Sequence, residues 1–298
     1  MVSIHFENVS KSFDKTQAIS NLSFKADKSQ KIVFLGTSGS GKTTGLRLIN
    51  KLITLDSGDI YINGTSIKNI DPVSHRRKIG YVIQKGGLFP HKTVEENILT
   101  IPKLVGMDEK IARERLTQLL KLIKLENSYL DKMPAQLSGG EQQRVGIARA
   151  LISQANLILM DEPFGALDPI TADSVLRDFL AIQDELKFTA VIVTHNIMEA
   201  IKVSDLIILL HKGKLQQKGS AKDLLFNPSN DFVRSFFNSN RFELELEAII
   251  LSDLKPYISQ EVISDLGEEL SVRECMNKGL HREQLLKATE EYKANYNN

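Results

Sequence analysis

The run Gly36-Thr37-Ser38-Gly39-Ser40-Gly41-Lys42-Thr43-Thr44 fits G-x-x-x-x-G-K-[ST], a spacing whose backbone N–H groups can wrap a chain of phosphates. Gly36, Gly39 and Gly41 let the backbone turn tightly and approach an anion, and a helix starting at the end of the loop adds a favourable dipole. Lys42 is the residue type that reaches β- and γ-phosphates, and the Thr43 hydroxyl suits Mg2+. About a hundred residues later stands Leu137-Ser138-Gly139-Gly140-Glu141, and about twenty beyond that Leu157-Ile158-Leu159-Met160-Asp161-Glu162. In phosphoryl transfer a first acid commonly holds Mg2+ while a separate group positions the nucleophile, and an acidic pair ending an apolar strand offers both. A serine hydroxyl and free glycine N–H groups at a helix start make an anion site. Ser138 with Glu141 three residues on equally satisfies a plain capping box, and the two uses are compatible. His195 directly follows the apolar run Ala190–Thr194, at the strand end where ligands gather in open α/β sheets.

The elements that must position these residues are legible from periodicity. Lys31–Leu35 is a continuous apolar run ending at Gly36, which predicts a strand buried on both faces. Leu46, Ile49 and Leu52 then recur at helical steps, so a helix begins where the glycines end. Ile4/Phe6 and Leu22/Phe24 alternate as in short strands. Asp59–Asn63 reads as a strand running into an Asn63-Gly64 turn, and Ile79–Gln84 as another strand. Leu157–Met160 and Ala190–Thr194 flank a helix marked by Val175, Leu176, Phe179, Leu180, Ile182 and Leu186. Strand, helix, strand is a crossover unit and implies a parallel sheet. Residues 91–153 carry helical spacing in three stretches (94–98, 111–125 and 142–153) and predict a small helical subdomain inserted in the sheet-bearing domain. Residues 205–218 read as a closing hairpin. Residues 241–298 are acidic on balance, helical in pattern and free of phosphate or metal motifs.

A chain of 298 residues is long enough for one large domain, or a domain with an appendage. With 42% hydrophobic and 25% charged residues a globular chain is expected, and a net charge of +1 gives no strong field to attract nucleic acid. The single cysteine, Cys275, cannot form an internal disulfide, which fits a reducing compartment, and reads as a packed thiol. The N-terminal residues alternate as a strand does, unlike a signal peptide. No apolar run approaches the roughly 20 residues needed to span a bilayer, so any membrane role requires another chain.

The phosphate loop, the Ser-Gly-Gly-Glu segment and the Asp-Glu strand end, in that order, make residues 2–237 resemble the ATP-binding cassette, the ATPase module of ABC transporters. The resemblance implies an α/β fold: a mainly parallel core sheet, an antiparallel β subdomain and the inserted helical subdomain, followed by the appendage 241–298. It implies ATP and Mg2+, with Thr43, Gln84 and Asp161 as metal residues, Glu162 as general base, and Gln84 and His195 as groups that contact the γ-phosphate. Residues 36–44 would bind the nucleotide. Phe13 would stack on adenine, with core packing as the alternative for that ring. The resemblance further implies a head-to-tail homodimer, in which Leu137–Glu141 meets the ATP of the opposite subunit and the Asp168 loop crosses the interface. Implied partners are integral membrane permease subunits, docking on the surface of residues 84–97, and an extracytoplasmic substrate-binding protein, with the cassette peripheral on the cytoplasmic face of the plasma (inner) membrane. No nucleic acid is implied. Val82-Ile83-Gln84, Gly87–His91, Thr93–Ile98 and Phe164–Pro169 are similar to segments of the glycine betaine, choline and carnitine (quaternary amine, osmoprotectant) importers. A polar amino-acid importer ATPase and a soluble cluster-assembly ATPase are the alternatives. Many betaine-type ATPases end in a tandem pair of CBS domains, and residues 241–298 are too few for such a pair.

Overall fold

The computed structural model describes residues 2–14, 16–83, 87–279 and 281–296. The alternating N-terminal segments form two long antiparallel strands, β1 (Val2–Phe13) and β2 (Thr16–Asp27), with Phe6 opposite Phe24. They run further than the short alternations suggest, because register shifts along the pair let the apolar pattern slip without ending the ladder. The continuous apolar run is β3 (Lys31–Leu35). Helix α1 (Lys42–Ile49) follows the glycine loop and buries Leu46, Leu48 and Ile49, each contributing about 1.5–3 kcal/mol by leaving water. Strand β4 (Ser57–Ile62) turns through Asn63 and Gly64, at φ 49° and 80°, into β5 (Thr65–Ser66). Two successive positive φ values are what a type I′ hairpin requires, and an Asn-Gly pair supplies them cheaply. These strands form one antiparallel sheet in the order β2-β1-β4-β5.

After helix α2 (Pro72–Arg76) comes β6 (Ile79–Val82). Three helices follow: α3 (Val94–Val105), α4 (Glu109–Leu122) and α5 (Gly139–Leu151). They occupy the stretch expected to be helical, and α5 starts three residues earlier than its apolar spacing alone suggests. Strand β7 (Leu157–Asp161), helix α6 (Pro169–Leu186) and strand β8 (Thr189–Thr194) complete the expected crossover. Helix α6 opens at Pro169 because Asp168 caps it, its side chain accepting the Thr171 N–H at 3.0 Å. Then come α7 (Ile197–Val203), β9 (Leu206–His211) and β10 (Lys214–Gly219). The second sheet has the order β10-β9-β3-β8-β7-β6, and β3, β8, β7 and β6 run parallel. Phe34 of β3 meets Phe6 and Phe24 edge-on, with centroids 6.2 and 5.7 Å away, which joins the two sheets through one aromatic cluster.

The chain divides into two compact units, one of residues 1–195 with 210–215, the other of residues 196–209 with 216–298. The second unit holds α7 and the helices α8 (Ala221–Phe226), α9 (Asp231–Phe236), α10 (Arg241–Ala248), α11 (Gln260–Leu266), α12 (Val272–Asn277) and α13 (Arg282–Asn295). It has a core of its own, including Leu246, Ile249, Leu254, Val272 and Leu285. Cys275 lies in that core, where burial pushes its thiol up, in keeping with a packing role. Among the described residues no helix is long and apolar enough to cross a membrane.

One charge cluster in the first unit ties α5 to α6. Asp178, only 5% exposed, accepts from Arg144 Nε at 3.1 Å and Nη2 at 2.5 Å and pairs with Lys124 Nζ at 2.6 Å, while Arg144 also donates to Ser174 Oγ at 3.1 Å. Burial alone would raise the Asp178 pKa, but the bonds from Lys124 and Arg144 together outweigh it and hold the carboxyl below its ordinary value. A depressed pKa stabilises the fold above the unfolded value of about 4, and that contribution disappears as pH falls through the folded value. Asp178→Ala leaves the Arg144 guanidinium largely buried without its carboxylate and is expected to cost about 3 kcal/mol, read as a lower urea midpoint at pH 7. At acid pH the variant and the parent should converge.

Candidate functional site

The glycine loop connects β3 to α1 at the C-terminal edge of the parallel strands. Gly36 has φ 152°, and a Cβ there would stand 2.1 Å from the Leu210 carbonyl oxygen. Gly41 has φ 103°, and a Cβ there would stand 2.3 Å from the Ala18 carbonyl oxygen. The loop is thus pressed against neighbouring strands at both ends by contacts that only glycine permits. Ser40 sits between them, 1% exposed, and its Oγ has no hydrogen-bond partner among the described residues. Lys42 folds back over the loop and donates to the carbonyls of Gly36 (2.8 Å) and Thr37 (2.9 Å). Burial pushes the Lys42 ammonium below its ordinary pKa, and the carboxylates of Glu162 and Asp161 pull it partly back.

Asp161 ends β7, and its Oδ1 accepts from Thr43 Oγ1 at 3.1 Å. Burial raises the Asp161 carboxyl, the Thr43 hydroxyl opposes the rise, and the Glu162 charge adds to it. Glu162 is held at φ 46°, an uncommon backbone for a residue with a side chain, with its N–H donated to Val193 O at 2.9 Å. That conformation presents its carboxylate to His195, whose Nδ1 is 3.2 Å from Glu162 Oε1. Loop residues 36–44, Asp161, Glu162 and His195 are therefore gathered at the ends of β3, β7 and β8, three adjacent parallel strands. Tyr81 of β6 went unnoticed in the sequence. It is partly buried near Asp161, and burial together with that charge pushes its phenol up to about 12. Its only signal in the sequence is a tyrosine in a strand that pairs with the strand ending at Asp161.

Ser138 and Glu141 form the capping box at the start of α5: Glu141 N–H donates to Ser138 Oγ at 3.3 Å, and Ser138 N–H donates to Glu141 Oε2 at 2.7 Å. Hydrogen bonds to Ser138, first among them its backbone N–H, hold the Glu141 carboxyl below its ordinary value. Leu137 is buried, Ser138 and Gly139 are exposed, and Gly140 is buried. A Cβ on Gly140 would lie 2.5 Å from Thr171 Cγ2, so this segment packs closely on the first turn of α6, the turn that Asp168 caps. The chain does not bring Leu137–Glu141 to its own glycine loop in any contact described. Phe13 ends β1 and is 45% exposed, with Lys11 Nζ 5.4 Å from its ring centroid, so it is not a core residue. Gln84 lies outside the described residues.

A glycine loop between a parallel strand and a helix, with an acidic neighbouring strand end bonded to its threonine, defines the class of phosphate-loop nucleotide-binding proteins. Residues 19–165 match the family described as ABC transporter. The chain is 48% identical over 236 residues to the choline transport ATP-binding protein OpuBA of Bacillus subtilis (strain 168), covering 79% of this chain and 62% of that protein. It is 40% identical over 277 residues to the glycine betaine uptake system ATP-binding protein YehX of Escherichia coli (strain K12), covering 92% of this chain and 89% of that one. Among solved structures, a dimeric post-hydrolysis ATP-binding cassette bound to ADP and Pi superimposes with a TM-score of 0.64 at 32% identity, covering 73% of this chain and 98% of the other. The chain belongs to the ABC transporter family. It spans under two thirds of the length of the choline transport relative.

The close contact at Gly41 and the open space at Gly39 rank two substitutions. Gly41→Ala combines positive φ with a backbone clash and is expected to lower the melting temperature markedly, the strain alone costing about 1–3 kcal/mol. Gly39→Ala has positive φ but open space around its Cβ and should cost about 1–2 kcal/mol. Differential scanning fluorimetry of the two variants checks the order.

Proposed function

We propose that the chain is the ATP-hydrolysing subunit of an importer for quaternary-amine osmoprotectants such as glycine betaine, choline or carnitine. Residues 1–237 act as the cassette and residues 241–298 as an appendage. Two copies clamp two ATP molecules head to tail, separate permease subunits cross the membrane, and an extracytoplasmic binding protein delivers the substrate to them. The cassette then works at the cytoplasmic face. The observation that carries this reading is the convergence of two side-chain pairs, Thr43–Asp161 and Glu162–His195, beside the glycine loop. The names of the relatives support the substrate class, and the dimeric ADP-bound cassette supports the pairing.

The residues present fit the ligands. Ser40 Oγ is a buried polar atom left for an outside partner, and Lys42 satisfies itself on loop carbonyls that a phosphate oxygen can replace. Thr43 Oγ1 and an Asp161 oxygen, already together, are hard oxygen donors of the kind Mg2+ prefers, with Gln84 as a further ligand. Bound Mg2+ supplies charge neutralisation at the phosphate oxygens. Phe13 offers an exposed ring face to adenine. Lys42 turns its ammonium to the β- and γ-phosphates. Glu162 accepts a proton from the water that attacks the γ-phosphorus as the bond to the β–γ bridging oxygen breaks, and His195 holds the Glu162 carboxylate and the γ-phosphate in register. The Ser138 hydroxyl and the Gly139 N–H complete the site from the opposite copy, with Asp168 at the interface.

Glu162→Gln is expected to retain ATP binding, to lower phosphate release at least about a hundredfold, and to hold two copies together when ATP is present. Phosphate release and light scattering read both effects, and parental turnover in the variant would overturn the assignment of the base. Extraction of the native protein in detergent is expected to recover it with an integral membrane protein. Consistent recovery with only water-soluble partners would overturn the transport role.

A further inference from the structure

We propose that Tyr129 is a positioning residue for Ser138, acting through the Glu141 carboxylate. The proposal rests on the role given to Ser138 above, and every residue in it belongs to the first compact unit. Its basis is the sharing of one carboxylate. Glu141 Oε2 accepts the Ser138 N–H at 2.7 Å, while Glu141 Oε1 accepts the Tyr129 hydroxyl at 2.9 Å. The Glu141 N–H in turn donates to Ser138 Oγ at 3.3 Å. A capping box needs only the serine and the acid. Here a third group, 12 residues before the acid, takes the second carboxylate oxygen. The last torsion of a glutamate side chain is soft, so an acid held by one oxygen can swing. Held by both, it keeps one orientation, and the serine that it bonds keeps its place.

Tyr129 is itself fixed. It ends the short helical turn Asn127–Tyr129, and its N–H donates to the Glu126 carbonyl at 3.0 Å. Lys132 Nζ stands 3.4 Å from the centroid of its ring. The residues that follow are bonded to the first turn of α3: Val94 N–H donates to the Lys132 carbonyl at 2.9 Å and Glu95 N–H to the Leu130 carbonyl at 3.0 Å. The approach to Ser138 is tied from the other side. Gln142 Nε2 donates to the carbonyls of Pro134 (3.0 Å) and Leu137 (3.2 Å). Tyr129 thus carries the anchored start of α3 across to the start of α5. None of these contacts involves residues 36–44. ATP binding at the glycine loop should be spared, while the step that needs Ser138 from the opposite copy suffers.

The test uses the full chain with Tyr129→Phe, which keeps the ring beside Lys132 and removes only the hydroxyl. It follows ATP turnover and, without nucleotide, the amide NMR signals of 15N-serine-labelled protein. The Ser138 signal is assigned by its loss in Ser138→Ala. Tyr129→Phe should lower kcat about fivefold, leave KM for ATP within about twofold and shift the Ser138 signal. In a Glu141→Ala background the same change should move neither the Ser138 signal nor kcat any further, because the link is already cut. An unmoved Ser138 signal in Tyr129→Phe overturns the proposal, and so does parental kcat in that variant. Effects of equal size in the Glu141→Ala background also overturn it, since Tyr129 would then act by another route. A parent without ATP turnover would sink the proposed function, while the Ser138 signal would still decide whether Tyr129 orients that residue.

Discussion

Everything at the site depends on how closely the glycine loop is pressed into the strands around it. The backbone at Gly36 and Gly41 comes within a methyl group's reach of the carbonyls of Leu210 and Ala18. That closeness fixes the direction of the loop between β3 and α1, while a Cβ on Gly39, between the two, would meet no atom within 4 Å. A side chain at either end would push the loop outward and move Lys42 and Thr43 with it. The parallel strands then bring Asp161, Glu162 and His195 to the same edge, because β7 and β8 lie in register beside β3.

The electrostatics of that edge are balanced rather than settled. Two adjacent carboxylates lie near the buried Lys42 ammonium, and burial moves the pKa of Lys42 down and that of Asp161 up. Both groups pay for desolvation, and each is only partly compensated within the chain. A ligand that carries negative charge and brings a divalent cation would complete both halves of the balance.

Much of this was legible in the sequence, for reasons that can be named. The glycine loop, the Asp-Glu strand end, the capping box at Ser138 and the Asn63-Gly64 turn are local, and local rules of backbone and hydrogen bonding read them. The continuous apolar runs identified the buried parallel strands. Three things were hidden. The Arg144–Asp178–Lys124 cluster joins residues 34 and more positions apart, and no periodicity marks such a pairing. The positive φ of Glu162 follows from its bond to Val193 on another strand. The grouping of α7 with the C-terminal helices arises from contacts such as Arg273–Met198, 75 residues apart. Long-range contacts between charged or polar groups are what a single sequence conceals best.

The capping box at the start of α5 carries one more implication. Ser138 Oγ already accepts the Glu141 N–H, so one lone pair of that oxygen is engaged by the helix start. The cap therefore uses one of the two acceptor lone pairs of the hydroxyl and leaves its O–H available as a donor. An aspartate in that place would terminate the helix equally well, yet it would face an incoming anion with charge of the same sign. An alcohol at this position thus starts the helix without adding a negative charge to its first turn.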